Sequence, residues 1–267
     1  MTIWQADLYK QTGDYSDSKT WYLLVCDQQG NLIHENQCLQ SEVNSQWVLG
    51  QLQNALEKYT PDKIQIFRPQ VLNFFQSAGS ALGVPVEATR HTPAIKKLLL
   101  EKGSSLSLDK APPQPMPENL WGESWRVAYF QAGEIIDFWE DRPLPILSLP
   151  PAFRPLSLGV SSSQPIPGLL IYGGRKSRSL AQWLESVRPV CLDYISDRVG
   201  VSGGVVLEAG LNDRWVVLTF EDPEIAEAME NYESRKRACQ GLHFLLIQPD
   251  DSNVTYTAFW LLKTPDA

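Results

Sequence analysis

Arginine recurs at four places where a strand-like run of this chain hands over to a helical one. The runs are Phe67-Arg68-Pro69, Thr89-Arg90-His91-Thr92-Pro93, Gly173-Gly174-Arg175-Lys176-Ser177-Arg178 and Ser196-Asp197-Arg198. In open α/β sheets, ligands bind beyond the carboxyl ends of the strands. Helix N-termini there present free N–H groups and partial positive charge, which suits phosphate. A guanidinium adds a planar fork that grips phosphate through two bonds. The pattern therefore predicts phosphate contacts, with Arg175, Lys176 and Arg178 as the main group and Arg68 and Arg90 as secondary contacts. Gly173-Gly174 would let the backbone come close to such a ligand. A single arginine beside a helix start is equally explained by an acidic partner or by solvation. Only the fourfold recurrence lifts the phosphate reading.

Other chemistry is poorly supported. A nuclease needs clustered carboxylates to hold two metal ions. Asp7 stands where a ribonuclease H-like enzyme has one, but Arg68 occupies the position after the Lys63–Phe67 strand that should be acidic. The chain has no G-x-S-x-G elbow, no phosphate-binding G-x-x-x-x-G-K loop and no dinucleotide glycine fingerprint. Its three histidines, His34, His91 and His243, pair with no evident nucleophile. The cysteines Cys26, Cys38, Cys191 and Cys239 form no C-x-x-C pair, so no metal site and no cofactor is expected. Arg235-Lys236-Arg237 closes a helix, where cations complement the dipole. His243, entering an apolar strand, reads as a hydrogen-bonded core residue.

The elements that would position the arginines read as α/β. Ile3–Tyr9, Trp21–Cys26 and Leu32–Gln37 are strand-like, with a turn at Asp27-Gln28-Gln29-Gly30. Asn44 or Ser45 caps a helix with Val48, Leu52 and Ala55 on its apolar stripe. Lys63–Phe67, Pro69–Leu82, Val84–Thr89 and the helix after Thr92-Pro93 continue as strand, helix, strand, helix. Ser104–Asn119 carries four prolines and little apolar content. That divides the chain into an N-terminal α/β domain over 1–103, a proline-rich linker over 104–120 and a C-terminal α/β domain over 121–267.

The second part restarts the same programme. Trp125–Phe130 and Glu134–Trp139 read as a hairpin about Ala132-Gly133, and Leu169–Tyr172, Ser177–Val187 and Val190–Ile195 as a βαβ unit. Further strands at Val205–Glu208, Trp215–Phe220, Phe244–Gln248 and Tyr256–Leu262 flank a long helix from Asp222-Pro223. Two related units, each a β-hairpin plus βαβ sheet, are one account of this, and the commonness of the motif is the other. Three antiparallel strands followed by alternating helices and strands is the order of a ribonuclease H-like fold, here catalytically inactive; another α/β sandwich would also satisfy it.

A net charge of −8 and a pI near 5.0 argue against a generic nucleic-acid coat, so any nucleic-acid contact must use local basic patches. No apolar stretch reaches the roughly 18 residues of a membrane span. No signal or transit peptide opens the chain, which predicts a cytoplasmic protein.

Ordered segments along the whole chain resemble the Tab/Atab RNA-binding family of oxygenic phototrophs. They are Trp4-Gln5-Ala6-Asp7-Leu8-Tyr9, Trp21–Asp27, Val43-Asn44-Ser45, Ile66-Phe67-Arg68-Pro69-Gln70, Ile166-Pro167-Gly168, Gly174-Arg175, Leu180-Ala181 with Trp183-Leu184, Gly241-Leu242-His243-Phe244-Leu245 and Phe259-Trp260-Leu261-Leu262. Ala6, Leu8 and Ala94–Lys97 depart from the family pattern, which points to a divergent paralogue. The resemblance implies RNA binding in support of photosystem I core-subunit synthesis, in a cyanobacterial cytosol, with no catalytic residue to carry over. A photosystem assembly factor working through protein contacts without RNA is the alternative, and a metal-dependent nuclease the remoter one.

Overall fold

The computed structural model describes residues 2–10, 20–104, 106, 111–196 and 202–265. The chain is mixed α/β and divides into two compact units, with the break between Lys110 and Ala111.

In the first unit the strands are β1 (Ile3–Lys10), β2 (Thr20–Asp27), β3 (Leu32–Leu39), β4 (Lys63–Ile66) and β5 (Val86–Ala88). The helices are α1 (Ser45–Leu56), α2 (Pro69–Leu82) and α3 (Pro93–Glu101). They build one sheet in the order β3-β2-β1-β4-β5, antiparallel through β1 and parallel beyond it. Asn44 caps α1 by accepting from the Trp47 N–H, and Gly83 ends α2 at φ 68. Alternation along β1 sends Trp4, Ala6 and Leu8 into the core beneath α1 and α2. It sends Gln5, Asp7 and Tyr9 to the α3 side, where Gln5 and Asp7 are buried polar residues. Gln5 is satisfied there, its Oε1 accepting from the Ile95 N–H at 3.0 Å and so capping a helix start that lacks a local cap.

The second unit contains β6 (Gln114–Pro115), β7 (Ser124–Gln131), β8 (Ile146–Ser148), β9 (Pro165–Tyr172), β10 (Pro189–Ser196), β11 (Gly203–Ala209), β12 (Asp213–Phe220), β13 (Leu242–Gln248) and β14 (Ala258–Lys263). Its helices are α4 (Ile135–Glu140), α5 (Ser177–Val187) and α6 (Pro223–Ala238). Two sheets form, ordered β7-β9-β13-β14-β8 and β10-β11-β12-β6.

The hairpin and βαβ unit expected in this half are both corrected. Glu134–Trp139 is not the return strand of a hairpin, because Ile135–Glu140 is helical. Ile135 and Trp139, four apart, are both fully buried, which one helix face achieves and an alternating strand carrying Asp137 between them would not. After α5 the chain does not return beside β9. β13 takes that place, parallel to β9, and β10 leads the other sheet. All seven residues of β13 are buried, as a central strand requires, whereas β10 ends exposed at Ile195 and Ser196.

The larger sheet is covered on both faces. One face joins α5, α6 and the smaller sheet in a core with Leu169, Leu184, Leu207 and Trp260. The other carries an aromatic cluster in which Trp139 stacks on Phe259 at 4.4 Å.

Candidate nucleic-acid interface

Two cations of the first unit, Arg68 and Lys96, are held by the protein itself. Arg68, at the exit of β4, donates from Nε to Asp7 Oδ2 at 2.7 Å. Its guanidinium also lies 4.9 Å from the centre of the Phe67 ring. The Asp7 carboxyl has no exposed surface, and burial pushes its pKa up to about 6 against the weaker downward pull of Arg68. The acid and the arginine that sequence reasoning set in opposition are therefore a bonded pair. Arg90 is half-buried, and its carbonyl accepts from Lys96 Nζ at 2.9 Å. Lys96 is buried beneath it, 5.6 Å from the same Phe67 ring.

The third arginine cluster is different. Arg175, Lys176 and Arg178 are exposed on a 3-10 turn, Gly174–Lys176, and the first turn of α5. No ion-pair partner engages any of the three among the described residues. Their glycines do not open a backbone cradle. The Gly173 and Gly174 N–H groups donate to the carbonyls of Gln248 and Pro249, each at 2.9 Å. A Cβ at Gly173 would lie 2.7 Å from Ser177 Cα, so that glycine serves the tight turn into the helix. What the turn offers a ligand is three side-chain cations, with the exposed Glu123 carboxylate beside Gly174. Asp197 and Arg198, in the fourth cluster, lie outside the described residues.

The basic run at the end of α6 splits in two. Arg235 and Arg237 are exposed, but Lys236 is buried and donates from Nζ to Leu192 O and to Glu233 Oε1, each at 2.7 Å. His243 is a core residue: its Nε2 accepts from the Leu192 N–H at 2.9 Å, so Nδ1 carries the proton and donates to Gly241 O at 2.8 Å. The four cysteines are buried thiols without disulfides, and burial pushes Cys26 up to about 12. Among the described residues no group of three or more His, Cys, Asp or Glu side chains is gathered as a metal site.

Three further arginines, Arg126 and Arg142, which the sequence reading passed over, and Arg235, which it read as a helix-end cation, also lack an acidic partner among the described residues. Arg126 lies 5.9 Å from the Tyr172 ring, Arg235 4.5 Å from Tyr129, and Arg142 3.9 Å from Phe138 and 5.0 Å from Tyr256. Only Phe138 and Arg142, four apart about a helix end, left a local trace in the sequence. Trp183 packs edge-on against Trp215 at 5.3 Å and is half-buried, so it borders the core rather than standing out as a stacking platform.

No helix is long and apolar enough to cross a membrane among the described residues. Over its length the chain is similar to two curated proteins, each called "Protein TAB2 homolog, chloroplastic". The one from Arabidopsis thaliana is 28% identical over 275 residues, spanning 93% of this chain and 71% of its own. The one from Zea mays is 26% identical over 271 residues, spanning 93% and 68%. A solved chain, from a cryoEM structure of the simian T-cell lymphotropic virus intasome in complex with PP2A regulatory subunit B56 gamma, gives a TM-score of 0.29 at 15% identity, over 48% of this chain and 62% of that one, too slight a likeness to bear on the fold. Residues 3–102 match the family described as the RNA-binding protein Tab2/Atab2 N terminal, and residues 103–263 match the C-terminal domain of the same RNA-binding protein. With both domains present in order over nearly its whole length, the chain belongs to the Tab2/Atab2 family.

Proposed function

We propose that this chain is a cytoplasmic, non-enzymatic RNA-binding factor that supports the synthesis of photosystem core subunits, chiefly those of photosystem I. The observation that carries the reading is the ordered match of both Tab2/Atab2 domains across residues 3–263. Within that frame Arg175, Lys176 and Arg178 are the main phosphate contacts, being exposed cations that no acid engages among the described residues. Arg68 and Arg90 lie in the other unit. They are the secondary contacts, since Asp7 already holds the Arg68 Nε and Arg90 is half-buried.

The non-enzymatic reading draws on the same pair. A carboxylate bonded to an arginine is a poor ligand for a divalent cation, since the guanidinium adds positive charge where the metal would sit. Labelled single-stranded RNA and an RNA–DNA hybrid should survive incubation with magnesium or manganese. Cleavage that disappears in Asp7→Asn would restore the nuclease reading.

The net charge of −8 favours a second reading, an assembly factor that works through protein partners without RNA. Crosslinking, capture of the tagged full chain and sequencing of bound RNA separates the two. Enriched photosystem transcripts are expected. Recovery of protein partners with no transcript above background would leave the second reading standing.

A further inference from the structure

A strand at the edge of a sheet exposes a row of unpaired N–H and C=O groups, and folded proteins blunt such edges by shortness, proline, bulges or side-chain caps. Five of the six sheet edges here are blunted in these ways. β3 is bulged against β2, and Lys58 Nζ donates to its Ile33 carbonyl while Glu42 Oε2 accepts from its Leu39 N–H. β5 has three residues, β6 two with Pro115 as the second, and β8 three between Pro145 and Pro150-Pro151. β10 begins at Pro189 and carries caps from His243, Lys236 and Glu233 on Leu192 N–H, Leu192 C=O and Tyr194 N–H.

β7 is the exception. It runs eight residues as Ser-Trp-Arg-Val-Ala-Tyr-Phe-Gln, pairs with β9 along its whole length without a register shift, and has no described strand on its other side. It contains no proline, and among the described residues no side chain caps it. Trp125, Val127, Ala128 and Phe130 remain half-exposed and Tyr129 is 42% exposed, whereas β13 in the same sheet is wholly buried. Strong strand formers, a single charge and an open ladder are together an association hazard unless something covers them.

We infer that β7 pairs antiparallel with β7 of a second copy of this chain, joining two five-stranded sheets across a two-fold axis. A ladder of alternating donors and acceptors is matched by another polypeptide strand, and a two-fold pairing needs a self-compatible sequence. β7 has one. An axis perpendicular to the sheet keeps each face continuous, so opposed residues come from the same face. Centred on Ala128, the pairing sets Ala128 against Ala128, Arg126 against the second copy's Phe130 and Val127 against its Tyr129. Centred on Val127, it sets Trp125 against the second copy's Tyr129. In neither register do two arginines meet, and aromatic or cation-on-ring pairs form across the strands. Arg126 is drawn onto Tyr172, in the neighbouring strand of its own sheet, which leaves it a poor guard of the edge.

The test is sedimentation equilibrium of the full chain across the micromolar range, joined to hydrogen exchange of the Ser124–Gln131 amides. A species of about twice the 30.1 kDa chain mass is expected, with amides in this segment that exchange faster on dilution. Tyr129→Lys changes an exposed side chain and enters a two-fold interface twice, so it should weaken association at least about tenfold with the thermal unfolding curve unchanged. Val127→Pro, which removes an outward-facing ladder donor near the centre while the Ala128 N–H stays bonded to β9, should do the same if it folds. A monomer at every concentration overturns the inference. So does a dimer that Tyr129→Lys leaves intact and whose β7 exchange is indifferent to dilution.

Discussion

Asp7 and Arg68 show how far side-chain type alone can be read. Their residue types invited opposite expectations, a metal-binding acid and an RNA-binding base, and contact between them alters both. Strand alternation put Asp7 on the α3 side of β1, but nothing local in the sequence says that Arg68, 61 positions on, reaches it. The pair leaves a signature in pH. A carboxyl whose folded pKa is raised holds its proton more tightly folded than unfolded, so its contribution to stability falls as pH rises between the two values. Here the window runs from the ordinary 3.8 to about 6. Urea unfolding of the wild type and Asp7→Asn should diverge across it, the variant gaining relative stability up to about 3 kcal/mol and then holding level. A constant difference from acid to neutral pH would show that Asp7 does not titrate there. Gly168 makes a second case, legible as a family glycine but not as a packing one. A Cβ there would stand 2.2–2.3 Å from the Phe244 ring of the paired strand, inside the aromatic core. Gly168→Ala should cost about 1–3 kcal/mol by overpacking, and Gly50→Ala, on an open helix face, should not. Equal melting temperatures for the two would refute the packing argument.

Elements with strong local signals were legible, and those decided by competition between distant strands were not. Asn44, Gly83 and Asp222-Pro223 carry helix boundaries in their own chemistry, and the helices start or stop there. The return from α5 carried no such mark. Val190–Ile195 and Leu242–Gln248 are both apolar runs, and which of them lies beside β9 depends on which is apolar on both faces. The displaced strand β10 needed its edge closed, and the closure explains the triplet at the end of α6. Lys236 Nζ satisfies the Leu192 carbonyl and meets Glu233 and Asp193, with 5% of its side chain exposed. Lys236→Met keeps the apolar stem but leaves that carbonyl unpartnered and strips the partly buried Glu233 carboxylate of its cation, with only the Tyr194 N–H remaining on it. It should cost about 2–4 kcal/mol, in line with leaving buried polar groups unmade. Its exposed neighbour Arg237→Ala should fall within about 0.5 kcal/mol of wild type. Denaturant melts of the two variants that coincide would mean that the basic run is a solvated helix end throughout, as its sequence alone suggested.

For the molecule as a whole, charge sets the terms on which RNA can bind. A chain with 31 acidic and 23 Lys and Arg residues repels a polyanion at long range, so binding cannot rest on a general positive field. It must come from short-range contacts at cations whose charge is not spent on the protein's own acids. Arg68, Arg154 and Arg214 are spent in this sense, on Asp7, Glu140 and Glu208. Arg175, Lys176 and Arg178 are not, and they stand together on one turn of the second unit. Each phosphate they neutralise releases counterions, so affinity for single-stranded RNA should fall with salt by about 0.7 in the log–log slope per contact. Replacing all three by alanine should therefore flatten the slope by about 2 and weaken binding at low salt more than at high salt. The fold should be unaffected, since the three side chains are exposed and have no partner among the described residues. The measurement is a titration of labelled photosystem-transcript leader RNA at several salt concentrations, with wild type and triple variant side by side. Arg154→Ala is the control, a partly exposed arginine already paired with Glu140, and it should leave the slope where it was. If the triple variant instead keeps both the affinity and the slope of the wild type, RNA lies elsewhere on the molecule, and the ring-backed arginines Arg126, Arg142 and Arg235 become the cations to replace next.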